Sequence, residues 1–271
     1  MPATAPFPAM WENGRMTAAT ELLYETDSYL RNFEARVIDQ DGSSIALDRS
    51  AFYPGGGGQP CDKGALIHDG VVRAVTEVRR RDGVVWHTLV GPPPPPGGRV
   101  LGHIEWARRY ALMRTHTALH MMSGVVFKDF AKQVTGGDMK PLAGRLDFEF
   151  EGLTLAIANE IERRMNEEVL AARPIRVTIL PRELAFKIPD LIRTKVNLLP
   201  AGIERVRIVD IVGLDLQADG GTHVASTSEV GPVHLVGHES KGRVNKRIRI
   251  ELEPNPEPAG ARSESPTAPG Q

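Results

Sequence analysis

Residues 91–98 read GPPPPPGG, and they constrain the fold more than any other stretch. Five consecutive prolines hold φ near about −65° and carry no amide N–H, so the run enters neither a helix nor a central strand. It is an extended, stiff connection, expected close to a domain boundary. On its N-terminal side, FEARVIDQ, SIALDR and ALIHDGVVRAVTEVRRRDGVVWHTLV are alternating runs broken at Asp41-Gly42, Asp69-Gly70 and Asp82-Gly83. Such dipeptides supply the positive φ that tight hairpin turns need. Residues 17–104 therefore read as a small antiparallel β-barrel or sandwich. Arg79 to Arg81 crowd one hairpin tip and read as a solvated turn.

On the C-terminal side the periodicity changes. EWARRYALMRTHTALHMMSGVVFKDFA places Leu112, His116, Leu119, His120 and Val126 at helical spacing. A break is expected at QVTGGDMKP. LDFEFEG then reads as a strand, and LTLAIANEIERRMNEEVLAA as an amphipathic helix with Ile157, Ile161, Met165 and Val169 on one face. PIRVTIL, ERVRIVDI and NKRIRIEL are strands by alternation. Residues 105–253 are thus expected to form a two-layer α/β unit with helices on an antiparallel sheet, which makes the chain α+β. Residues 1–16 read as a loose leader. Residues 254–271 are too poor in apolar side chains to fold and read as a disordered tail.

Charge and cysteine usage narrow the function. The 33 basic and 34 acidic residues leave a net charge of −1, so contact with a nucleic acid must come from a local patch. Cys61 is the single cysteine, which excludes an intrachain disulfide framework or a multi-cysteine zinc ribbon and suits a reducing compartment. With no bilayer-length apolar run and no secretory start, the protein is expected to be cytoplasmic, with no membrane partner and no stable protein partner.

Two short stretches carry the chemistry. On a helix, His116 and His120 are i and i+4, with Cβ atoms about 6 Å apart on one face, so both reach one ion at metal–nitrogen distances near about 2.1 Å. VHLVGH provides a control: His234 and His238 have the same spacing inside a strand-like run, where four residues extend about 13 Å, too far to share a metal. QADGGTH places Asp219 four positions before His223, with two glycines that let the backbone turn back so that both side chains face one point. The alternative is that Asp219 only caps its own turn.

MRTHTALH (113–120) together with DGGTH (219–223) resembles the paired metal motifs of the AlaX family, the freestanding alanyl-tRNA editing proteins related to the editing domain of alanyl-tRNA synthetase. AFYPGGGGQPCDKG (51–64) is similar to the family's glycine-rich stretch, IEWARRYALMRTHTALH to its metal helix and GRVNKRIRIEL to its closing strand, so the resemblance covers about residues 17–253. It implies zinc held by His116, His120, Asp219 and His223. The family usually has cysteine where this chain has Asp219, and Cys61 lies far away in sequence. A carboxylate preserves the negative charge and makes the site harder and less zinc-selective.

The resemblance further implies hydrolysis of the ester that joins serine or glycine to the terminal adenosine of alanine tRNA, with the acceptor end of the mischarged tRNA as partner. Gly57, Gly58 and Gln59 form a GGQ tripeptide similar to that of peptide-release factors; with Thr135 they are expected beside the substrate, against the plainer reading of tight turns. Lys241, Arg243, Lys246, Arg247 and Arg249 are expected to meet acceptor-stem phosphates, or to be the wet face of an ordinary strand. The motifs name no catalytic group beyond the metal site. A general tRNA-ester hydrolase and a non-catalytic tRNA- or metal-binding module are the competing readings.

Overall fold

The structure is a computed structural model that describes residues 10–12, 15–17, 19–192 and 202–254. β1 (Met10–Glu12) and β2 (Arg15–Thr17) form an antiparallel ribbon within the expected leader. The rest of 1–16, and the expected tail beyond Pro254, lie outside the described residues. There follow β3 (Glu21–Leu22), β4 (Asn32–Asp41), β5 (Ser44–Leu47), β6 (Arg49–Ser50), β7 (Gly64–His68), β8 (Val71–Arg81), β9 (Val84–Leu89) and β10 (Arg99–Ile104).

Six of these strands close a barrel in the order β10-β4-β5-β9-β8-β7, all pairs antiparallel. Closure removes the exposed edges that a sheet this small would otherwise present. Strict alternation makes it possible: along β4, Phe33, Ala35 and Val37 turn inward while Asn32, Glu34 and Arg36 face out. Asp69-Gly70 and Asp82-Gly83 all carry positive φ, as the two-residue hairpins demand.

The polyproline run, expected close to the domain boundary, connects β9 to β10, the last strand of the barrel. Those two strands are not neighbours in the sheet, so the chain must travel between them. The run makes that crossing without helix or strand, and it ends in a turn closed by Gly98 N–H donating to Pro95 O at 3.0 Å, with Gly97 at φ 86°.

The second half contains α1 (Trp106–Phe130), β11 (Val134–Lys140), β12 (Ala143–Glu149), α2 (Leu155–Leu170), β13 (Ile175–Pro181), α3 (Arg182–Ala185), β14 (Arg205–Ile211), β15 (Asp215–Ala218), β16 (Val233–Ser240) and β17 (Asn245–Leu252). The chain is α+β with antiparallel sheets, but the expected single sheet is two, β11-β12-β17-β16 and β13-β14-β15. The expected break at QVTGGDMKP is also a strand. β11 pairs with β12 through a register shift between Val134 and Gly136, an edge strand whose glycines serve close packing and not a turn.

α1 lies between the sheets, touching β11 and β12 of one and β15 of the other, and from Leu112 to Val126 every residue is buried. A helix wrapped on all sides must satisfy its polar side chains internally. Arg114 donates to the carbonyls of Val230 and Glu253. α2 begins at Thr154, whose hydroxyl caps Ile157 N–H, and it turns Ile161 and Met165 into the core shared with α1. No helix among the described residues is long and apolar enough to cross a membrane.

Barrel and helix are joined by the chain from 51 to 63. Arg109 of α1 is fully buried against Asp62, with Nε 3.0 Å from both carboxylate oxygens, and Nη1 donates to Ser28 O at 3.0 Å. Asp62 also accepts from Tyr53 N–H at 2.6 Å.

Candidate metal centre

α1 presents His116 and His120 one turn apart, as their spacing requires. β15 runs antiparallel to β14, and its ladder continues through Asp219 N–H, which donates to Arg207 O at 3.1 Å. The chain then turns at Gly220 and Gly221 and brings His223 back. Gly221 cannot be replaced without displacement: a Cβ there would lie 2.3 Å from His116 Cε1 and 2.7 Å from Gln59 Oε1. Arg207 latches this turn, its Nη1 donating to the carbonyls of Asp219 at 3.0 Å and Gly221 at 2.8 Å.

Four side chains meet as a result. One ligand atom from each of His116, His120, Asp219 and His223 lies within 4.8 Å of all the others. Asp219 Oδ1 is 3.5 Å from His116 Nε2 and 4.0 Å from His120 Nε2, and Oδ2 is 3.0 Å from His223 Nε2. Oδ2 also accepts Gly221 N–H at 2.7 Å. Asp219 therefore caps its own turn and faces the histidines at once; the two sequence readings are not exclusive.

Every imidazole is held from behind through Nδ1. His116 Nδ1 lies 2.9 Å from Gln59 Oε1, His120 Nδ1 3.2 Å from Asp215 Oδ2, and His223 Nδ1 3.1 Å from Thr117 Oγ1. Ring orientation fixed in this way is what metal-binding histidines require, and it leaves all three Nε2 atoms directed at one carboxylate. Three nitrogens and one carboxylate oxygen in a buried cluster form a donor set that fits a divalent cation such as zinc.

The electrostatics agree with that fit. Burial pushes His116 well below the usual imidazole range, against the pull of Asp219, and lowers His223 to about 4. Burial acts on His120 too, but its hydrogen bond to Asp215 and the charges of Asp219 and Asp215 outweigh it and raise the pKa. Burial would raise Asp219, yet the surrounding imidazoles hold it well below the usual carboxylate range. Burial thus favours the neutral, electron-donating form of His116 and His223 beside the ionised Asp219.

The remaining expected residues divide. Gln59 is 2% exposed, and its amide is committed to His116 and Thr222. It is not presented outward as a release-factor-like group would be. Gly57 borders the cluster, with its Cβ direction 4.0 Å from Asp219 Oδ1, and Gly58 rests on Gly137 of β11. Thr135, on the same strand, donates its hydroxyl to Asn245 Oδ1 at 2.8 Å. Cys61 packs against the barrel core, away from the cluster.

Most of the basic group is occupied. Arg247 pairs with Asp147, and Arg249 and Lys241 with Glu239. Lys246 is buried, capping Ser240, Gly242 and Arg243 at the hairpin. Arg243 is exposed at the tip. His234 and His238 lie on β16 as the strand reading requires, and His234 bonds Glu253.

Sequence reasoning missed Asp215, Thr117, Thr222 and Arg207. Only Asp215 left a signal: alternation along DLQAD puts Asp215, Gln217 and Asp219 on one strand face.

Two family models match the chain, one described as the second additional domain of threonyl and alanyl tRNA synthetases over residues 206–249, the other as class II (A) tRNA synthetases over residues 14–108. The alanyl-tRNA editing protein AlaX-M of Saccharolobus solfataricus is 38% identical over 238 residues, 87% of this chain and 100% of that protein. AlaX-M of Methanosarcina barkeri is 35% identical over 86% of this chain and 99% of its own length. The alanine–tRNA ligase of Pyrobaculum aerophilum is 39% identical over 79% of this chain but only 25% of the ligase.

Proposed function

Because the chain belongs to the AlaX-M alanyl-tRNA editing proteins, we propose that it deacylates mischarged alanine tRNA in trans, hydrolysing the ester of serine or glycine at the acceptor end, with one zinc ion held by His116, His120, Asp219 and His223. The observation that carries this reading is the buried convergence of three imidazoles on a single carboxylate. When bound, the ion supplies Lewis-acid polarisation and a point of orientation for the substrate's amino group or ester oxygen.

The chain's own residues set the rest. Asp219 and His120 have the most exposed side chains of the four, 13% and 10%, so substrate reaches the cluster from their side. Gly57 leaves space beside Asp219 Oδ1, and Gly58 rests on Gly137 of β11, the strand that carries Thr135. The need for a second site follows from size: a pocket made for alanine rejects glycine and serine poorly by packing alone, whereas a site that hydrogen-bonds the serine hydroxyl discriminates against alanine, which leaves those groups unpaired. The exposed Arg243 is the member of the basic group best placed for phosphate.

The test is metal analysis alongside deacylation of alanine tRNA charged with serine, glycine or alanine. Expected are close to one zinc per chain, fast hydrolysis of the seryl ester, slower hydrolysis of the glycyl ester and an alanyl ester left largely intact. Equal hydrolysis of all three would replace selective editing by a general tRNA esterase, and no hydrolysis would leave a binding module.

A further inference from the structure

The glycine-rich stretch belongs to the barrel, yet it ends inside the metal centre. Gly56 N–H donates to Gln59 O at 3.0 Å and Gln59 N–H to Gly56 O at 2.9 Å, closing a four-residue turn whose central residues Gly57 and Gly58 have φ of 57° and 87°. Two positive φ values in succession are the mark of a type I′ turn, which only residues such as glycine adopt without strain. This turn delivers Gln59 as a buried side chain between the two halves of the site.

There its amide is oriented by an unambiguous donor. Thr222 N–H, a backbone group that can only donate, lies 3.1 Å from one amide atom, so that atom is the oxygen, Oε1. The nitrogen, Nε2, then donates to Thr222 Oγ1 at 2.9 Å. His116 Nδ1 faces the same Oε1 at 2.9 Å, and a nitrogen facing an amide oxygen must carry the proton. With the proton on Nδ1, the lone pair of His116 is on Nε2, directed at Asp219 Oδ1.

We infer that Gln59 is a positioning residue of the metal centre. It locks the tautomer and ring plane of His116, ties α1 to the 219–223 turn, and makes the barrel a structural part of the site. This inference rests on the metal reading above and not on the identity of the ester. It also explains why Gly221 has no side chain: a Cβ there would fall between His116 and Gln59. Asp215 and Thr117 stand behind His120 and His223 in the same way, but each comes from the second half of the chain; Gln59 alone among these three reaches across from the barrel.

The experiment compares parent, Gln59→Met and Gln59→Glu by zinc affinity, measured by competition with a chromogenic chelator, and by the tautomer of His116, read from long-range ¹H–¹⁵N correlations in metal-free and zinc-loaded protein. Methionine keeps the bulk and removes the acceptor, so affinity should fall about 10- to 100-fold. Glutamate retains acceptors for both His116 and Thr222, so it should restore affinity toward the parent value. Unchanged affinity in folded Gln59→Met, or a Gln59→Glu protein as weak as the methionine variant, would overturn the inference. Should Gln59→Met fail to fold, the metal-free parent decides: a proton on His116 Nδ1 upholds the lock, and a proton on Nε2 removes it. A parent that binds no zinc but protonates His116 at Nδ1 would sink the metal reading and leave the lock standing.

Discussion

The chain from 51 to 63 meets α1 in its first turn, at Arg108 and Arg109, and about two helical turns later at His116. At Arg109 the contact is saturated. Asp62 accepts from Arg109 and from Tyr53 N–H, and Arg109 also donates to the carbonyls of Ser28 and Ala51, so the opposite charges neutralise each other inside the protein. At His116 the contact is deliberately one-sided. Gln59 occupies Nδ1, and Nε2 is left to converge with two other imidazoles on Asp219. Both sites are buried, and both join barrel to helix. What separates the two is whether the polar atoms are consumed pairwise or converge on one carboxylate.

The largest effect should come from breaking the anchor. Arg109→Ala leaves the Asp62 carboxylate buried and unpaired, which costs about 3–5 kcal/mol, enough to unfold a marginal protein; urea unfolding measures it. Replacing both partners, Arg109→Met with Asp62→Leu, should recover most of the loss. If the single substitution is silent, the contact is no anchor.

A fourth buried histidine, outside the cluster, sharpens the contrast. His87, inside the barrel, has Nε2 2.8 Å from Ser50 Oγ and Nδ1 3.3 Å from Ile45 O, and burial lowers it to about 4. Since the folded pKa lies below the ordinary 6.5, the unfolded chain takes up the proton first, so the stability that neutral His87 contributes is complete above pH 6.5 and is lost as pH falls toward 4. The difference in unfolding free energy between parent and His87→Leu should shift by about 3 kcal/mol across that window. A pH-independent difference would mean the histidine is not held neutral.

Within the metal centre, Asp219→Asn keeps the turn and loses the charge. Loss of a direct ligand should exceed the roughly 10- to 100-fold effect of an outer partner, so zinc affinity should fall by more than about 100-fold, with deacylation slowed. Asp219→Cys should keep zinc and activity, and His234→Ala should change neither. An asparagine variant that binds zinc like the parent would reduce Asp219 to a turn residue. The smallest effect is expected at the surface: Arg243→Gln should leave stability alone and lower the salt slope of tRNA binding by about one phosphate contact, roughly 0.9. An unchanged slope would assign phosphate contact elsewhere.

How much of this was legible depends on the range of the forces involved. Helical spacing placed His116 and His120 on one face, and strand spacing separated His234 from His238, because the backbone period alone decides which side chains are neighbours. Hairpin turns were readable for the same reason: Asp69-Gly70 and Asp82-Gly83 adopt the φ their residues permit. QVTGGDMK was misread because its glycines favour a turn in isolation, whereas β12 supplies the partner that makes it a strand. GPPPPPGG was legible as a connection that is neither helix nor strand, whereas only barrel closure decides that it links two strands that are not neighbours.

The sequence by itself determined the period of α1, α2 and the barrel strands, the charge of each ligand and the turn that lets Asp219 face His223. Only the tertiary structure decided which atom of each histidine faces the others. That choice depends on what stands behind the ring, and Gln59, Asp215 and Thr117 come from 57, 95 and 106 positions away from their imidazoles. Sequence distance carries no information about such contacts, because they form when packed elements exclude water and each buried donor must find the nearest acceptor.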